Sequence, residues 1–201
     1  MTFIQTIPPN DTVGEAREMY QRQQDKLGYV PNYAKAFSHR PELMARWAAL
    51  QSGIRKHVDT RRFELISFVA AHALGSSGCS LAYGKMLTQY FSPDDVQAIA
   101  HGGTPPALAS AEAALVHFVR KVALDAPAVT AYDVEELTEH GYSETEIFDI
   151  VAVVAARAFF TTLLEGLGVA PDNRYADMHA ELRRTLTVRR PIDTQPPERI
   201  G

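Results

Sequence analysis

The chain has 201 residues, 46% hydrophobic and 22% charged, which is enough to enclose one sizeable core and reads as a single domain. A formal net charge of −4, with no run of Lys and Arg, removes the attraction that a nucleic-acid or anionic-membrane binder needs, so neither partner is expected. A single cysteine closes no internal disulfide, and the start MTFIQTIPPN lacks the basic and apolar regions of an export signal, so a reducing, cytoplasmic setting is expected.

Thr12 with Glu15 reads as a capping box opening a helix that Gly28 ends. Pro31 opens a short turn or helix through Phe37, and Pro41 starts a helix that carries Leu43, Trp47, Leu50 and Ile54 on one stripe. Asp59 or Thr60 caps the next helix, Arg61 to Leu74, which is apolar on nearly all sides and should lie deep in the fold with Glu64 inside it. Gly75-Ser76-Ser77-Gly78 breaks that run, and a second helix resumes from Cys79 to about Tyr90, so the pair forms a tight helical hairpin.

Ser92-Pro93-Asp94-Asp95 starts a short helix that Gly102-Gly103 ends, and Pro105-Pro106 precedes a long helix through Leu124. Thr130 with Asp133, then Ser143 with Glu146, begin two more. The longest apolar stretch, Ile147 to Leu164, contains Asp149 and Arg157, which suits a central core helix better than a lipid-spanning one. Asn173 to Thr185 reads as one further amphipathic helix. The expected architecture is all-α over 1–201, with a core over about 12–185 and an extended tail over 186–201 that either moves freely or wraps a neighbour.

With Ser76 as cap, Cys79 is the third residue of its helix, where free N–H groups and the helix dipole favour an anion. Folding the hairpin about Gly75 brings Glu64 level with positions 83 to 87, so carboxylate, Tyr83 phenol and thiol are expected to share one buried seam. Plainer roles stand beside this one. Ser76 serves equally as a cap without chemistry, Cys79 as inert packing, Tyr83 as core filling, and Glu64 as the partner of a buried arginine such as Arg157 or as a residue near a subunit interface.

The run Glu64-Leu-Ile-Ser-Phe-Val-Ala-Ala-His-Ala-Leu-Gly-Ser-Ser-Gly-Cys-Ser-Leu-Ala-Tyr-Gly-Lys resembles the signature of the alkylhydroperoxidase D-like superfamily, which includes carboxymuconolactone decarboxylase. The family pattern is Glu, 11 residues, then Cys-X-X-Cys-X-X-X-His; here Glu64 fits, Ser76 replaces the first cysteine, Cys79 matches the second, and Tyr83 replaces the histidine. The run is most similar to the peroxidase-related branch, and the flanks Lys26-Leu-Gly-Tyr-Val-Pro-Asn and Gly166-Leu-Gly-Val-Ala-Pro-Asp resemble stretches of the same branch. The resemblance spans roughly residues 12 to 175.

It implies an all-helical fold, assembly into dimers, trimers or hexamers, and Cys79 as the peroxide-attacking thiol with Glu64 as proton relay. Ser76 cannot form the resolving disulfide, so an external or intersubunit thiol would regenerate Cys79. A phenol, protonated at neutral pH, donates a hydrogen bond but does not accept a proton as imidazole does, so Tyr83 implies weakened peroxidase activity. A decarboxylase-like enzyme using Glu64 on a lactone or small carboxylic acid, and a non-catalytic oligomeric binding protein, are the competing readings. No two of the seven histidines stand at the spacing of a helical metal pair and no phosphate-binding loop is present, so neither metal nor cofactor is expected.

Overall fold

A computed structural model describes residues 2–201. Ten α-helices follow one another among the described residues: α1 (Gly14–Leu27), α2 (Asn32–Ala36), α3 (Pro41–Arg55), α4 (Thr60–Ala73), α5 (Ser77–Leu87), α6 (Pro93–Ala100), α7 (Ser110–Asp125), α8 (Ala131–Glu139), α9 (Glu144–Gly166) and α10 (Ala180–Leu186). The all-α expectation holds. One isolated β-bridge, Val30 to Glu198, is the only extended pairing among these residues.

Helix starts follow the side chains that can satisfy free backbone N–H groups. Asp59 accepts from Arg62 N at 2.9 Å to open α4. Ser92 and Asp95 exchange bonds of 3.1 and 3.2 Å to open α6, and Ser143 and Glu146 exchange bonds of 3.3 and 3.0 Å to open α9. The box expected at Thr12 does not form. Gly14 adopts φ +57°, which moves the start of α1 one residue along to Val13, a cap without an acceptor, and the Thr12 hydroxyl turns back to Pro9 O at 2.7 Å.

α4 is the central element. It packs against α5, α7 and α9, and every residue from Phe63 to Ala71 is buried. Phe63, Leu65, Ile66, Phe68 and Val69 each contribute roughly 1.5–3 kcal/mol by leaving water. α9 is long and apolar enough to cross a membrane by composition, yet half of its most apolar stretch is buried inside the fold, where it packs on α3, α4 and α7.

Three expectations about the periphery change. The α3 stripe is only half covered by this chain: Trp47 and Ile54 are partly buried against the core, while Leu43 and Leu50 are 37% and 54% exposed and Met44 is the buried residue of α3. Residues 173–185 do not make one helix but a 3-10 turn, Asn173–Tyr175, followed by α10. The chain must turn there, because Asp172 is tied to Tyr29 and Asn32 while α10 packs on α5 and α6. The tail wraps its own chain. Arg189 N donates to Ser77 Oγ at 3.0 Å, Asp193 N to Pro171 O at 2.8 Å, Val30 N to Glu198 O at 2.9 Å, and Ile200 N to Gln24 Oε1 at 2.6 Å.

Candidate active site around Cys79

The α4–α5 hairpin closes as its glycine requires. Gly75 takes the left-handed conformation at φ +76°, Ser76 N donates back to Ala71 O at 3.0 Å, and α5 begins one residue later. Ser76 occupies the N-cap position, although its side chain makes no capping hydrogen bond. Cys79 is therefore the third residue of α5, as its spacing from Ser76 implies, and it is 5% exposed. Its thiol is free.

What faces the sulfur is a guanidinium. Arg157, from the middle of α9, is 2% exposed; its Nη1 lies 3.9 Å from Cys79 Sγ, and its Nη2 donates to the Tyr83 hydroxyl oxygen at 2.5 Å. The guanidinium carbon sits 4.5 Å from the Tyr83 ring centroid and 5.7 Å from those of Trp47 and Phe160. Phe160 stacks on Trp47 at 4.1 Å and on Phe37 at 5.8 Å, with Tyr33 edge-on at 5.6 Å. The result is an aromatic box holding one cation, with Phe37 and Phe160 buried and Tyr83 and Trp47 half-buried.

Glu64 stands outside this set. It is 5% exposed, its Oε1 lies 3.8 Å from Arg55 Nη2, and its Oε2 has no partner. No hydrogen bond joins it to Tyr83 or Cys79 among the described residues, so the expected three-way seam does not form, and its cation is Arg55 rather than Arg157. The reason is helical geometry. Phe63 faces Tyr83, with ring centroids 6.5 Å apart, and the next residue along a helix is turned by about 100°, which sends Glu64 toward α3. Burial raises the Glu64 carboxyl above its ordinary value, and Arg55 offsets this in part.

The two flanks of the motif meet behind the thiol. Tyr29 donates to Asp172 at 3.1 Å, Asn32 N to the same carboxylate at 2.8 Å, and Asn32 Nδ2 to Ala170 O at 3.2 Å. Burial raises Asp172, pushes Tyr29 up to about 12, and lifts Tyr33 and Tyr175 well above the usual phenol range, Asp172 adding to the effect on all three phenols. On the other side of the hairpin His72 Nδ1 pairs with Ser80 Oγ at 2.9 Å, and burial holds that imidazole down to about 4. A cavity of about 630 Å³ between the N-terminal segment and the tail touches neither Cys79, Tyr83 nor Arg157.

Reading the sequence missed Arg157 as the partner of the thiol, and with it the aromatic box. An arginine inside the longest apolar run was the available signal, but nothing along the chain says which residue it faces.

Neither a protein-family model nor a curated protein sequence matches the chain. Solved structures do. An alkylhydroperoxidase AhpD core described as an uncharacterized peroxidase-related protein, from Ralstonia eutropha JMP134, is similar with a TM-score of 0.76 and 22% identity over 87% of this chain and 94% of that one. An uncharacterized peroxidase-related protein from Silicibacter sp. TM1040 gives 0.75 and 21% over 88% and 94%. The debrominase Bmp8 gives 0.65 and 19% over 86% and 90%, and a variant of it is solved in complex with 2,3,4-tribromopyrrole. These likenesses establish an AhpD-like fold.

Proposed function

We propose that this chain, which has the fold of the alkylhydroperoxidase core, is a thiol-dependent oxidoreductase that reduces a small peroxide through Cys79. The observation that supports this reading is the place of the sulfur, in the first turn of α5 and 3.9 Å from a buried guanidinium. Positive potential from the helix start and from Arg157 converges on the sulfur of the chain's single cysteine. The debrominase with this fold shows that the scaffold hosts other reactions.

In the reaction the sulfur forms an S–O bond with one peroxide oxygen as the O–O bond breaks. The departing oxygen takes a proton from the Tyr83 hydroxyl or from solvent and leaves as alcohol or water, and Cys79 becomes a sulfenic acid. Arginine has no acceptor, so Tyr83 receives a hydrogen bond from Arg157 and keeps its own proton free to give. Ser76 offers no second thiol. One external thiol therefore condenses with the sulfenic acid, releasing water, and a second displaces Cys79 from the mixed disulfide. Glu64, joined to none of these groups by a hydrogen bond, is assigned no step. The cycle suits a reducing cytoplasm.

Assembly between copies belongs to the same proposal. α3 and α9 pack together, and their outer faces present Leu43, Leu50, Phe148, Val151 and Phe159, apolar groups 37–72% exposed.

The test is peroxide consumption with a dithiol reductant present. Cys79→Ser is expected to abolish it, and mass spectrometry of the wild-type chain after peroxide is expected to find one added oxygen on Cys79. A serine variant that consumes peroxide at the wild-type rate sinks the reading.

A further inference from the structure

Arg157 has an unmet charge. A guanidinium does not shed its proton under any ordinary condition, and a buried one is normally paired with a carboxylate. Among the described residues, the Asp and Glu side chains that form ion pairs, Glu64 with Arg55 and Glu165 with Arg190 among them, all engage other cations, and none engages Arg157. The Arg157 Nε is buried with no partner. Trp47, Tyr83 and Phe160 offer ring faces, which attract a cation but carry no net charge. Of the two atoms that accept from the guanidinium, the Tyr83 oxygen and Cys79 Sγ, the sulfur is the one that reacts.

We propose that Arg157 is a catalytic residue of the Cys79 site, the positive partner of the sulfur, and that it tunes the site toward electrophiles that carry a negative charge. This rests on the reading of Cys79 as a nucleophile. An ordinary thiolate repels an anionic reagent. When the sulfur reacts as a thiolate beside Arg157 the two together carry no net charge, so a peroxide or other small electrophile bearing a carboxylate meets no net repulsion, and the free donors of the guanidinium attract it. Once the sulfur is bonded to oxygen or carbon and its charge is gone, the guanidinium remains to hold the carboxylate of the product.

Two alkylating reagents of nearly the same size read this directly: iodoacetate, an anion, and iodoacetamide, which is neutral. In both the sulfur forms an S–C bond and iodide leaves with the electron pair of the C–I bond. The measured quantity is the ratio of the two rates at Cys79 at a fixed pH, so changes in the fraction of reactive sulfur cancel. The ratio is expected to be higher in the native chain than in the same chain unfolded in urea, and to fall roughly tenfold in Arg157→Met, whose site lacks the positive charge. Arg157→Lys, which keeps a charge, is expected to recover part of it.

A structural role alone, stacking among the rings, would lower stability without moving the ratio. Equal ratios in native and unfolded wild-type chain overturn the proposal even if Arg157→Met does not fold. A folded Arg157→Met with the wild-type ratio also overturns it, leaving the peroxidase reading intact if Cys79→Ser still abolishes peroxide consumption. A shifted ratio without peroxide consumption retires the peroxidase reading and keeps the anion preference. A native thiol that reacts with neither reagent ends both.

Discussion

Glu64 shows how much a single buried oxygen weighs. Its Oε2 has no partner and Arg55 stands 3.8 Å from Oε1, so desolvation outweighs the attraction and the carboxyl titrates above its ordinary value. The fold thus prefers the neutral acid. Its contribution is complete where both folded and unfolded chains hold the proton, and is lost as pH rises through the raised folded value. Glu64→Gln, which stays neutral, is expected to be more stable than the wild type at pH 7, by about 1 kcal/mol, with the gap closing below about pH 4. Urea midpoints across that range decide it, and a wild-type advantage at pH 7 would mean that Glu64 has an anion-binding partner beyond Arg55. That Glu64 matters was legible from a carboxylate in an apolar helix. Its partner was not, because Arg55 lies on another helix and the direction of the side chain depends on how α4 is rotated against α5.

At the scale of elements, the α4–α5 hairpin is held by contacts of two kinds. His72 Nδ1 and Ser80 Oγ join the two helices at 2.9 Å, and burial keeps the imidazole neutral, down to about 4 against an ordinary 6.5. Between those values the unfolded chain binds a proton that the folded chain refuses, so stability is expected to fall as pH drops from 6.5 toward 4. His72→Gln should flatten that slope; an unchanged slope would assign it to other groups. Gly84 supplies the second contact. A Cβ there would collide with the Leu186 side chain and come within 3.2 Å of Phe68 Cε2, so the missing side chain is what lets α10 lie on α5. Ala forms helix better by about 1 kcal/mol, yet overpacking costs roughly 1–3 kcal/mol and Leu186 is wholly buried, so Gly84→Ala is expected to lower the melting temperature. The caps at Asp59, Ser92 and Ser143 were readable because a cap is a local transaction over three or four residues. The start of α1 was not, since the φ +57° of Gly14 is a backbone choice that its neighbours do not dictate.

For the whole molecule, the outer faces of α3 and α9 carry the prediction. Phe148 is 72% exposed and Phe159 43%, so Phe148→Glu with Phe159→Glu is expected to shift an assembled protein toward single chains in sedimentation, with helical content unchanged. A wild-type chain that already sediments as a monomer would retire the assembly proposal. The tail offers a second check. Arg189 N on Ser77 Oγ and Glu198 on Val30 and Lys35 fasten it across the hairpin and α2, so removal of residues 189–201 is expected to lower stability and speed alkylation of Cys79. Unchanged alkylation would show that the tail does not screen the thiol.

The sequence by itself determined the helical class, the hairpin, and the seat of Cys79 three residues past Ser76, since periodicity, glycine breaks and caps act over distances of one or two turns. Only the tertiary structure decided what the thiol faces. Cys79 and Arg157 are 78 residues apart, and their contact follows from how α9 rotates against the hairpin to bury its apolar sides, a packing choice that no local pattern encodes.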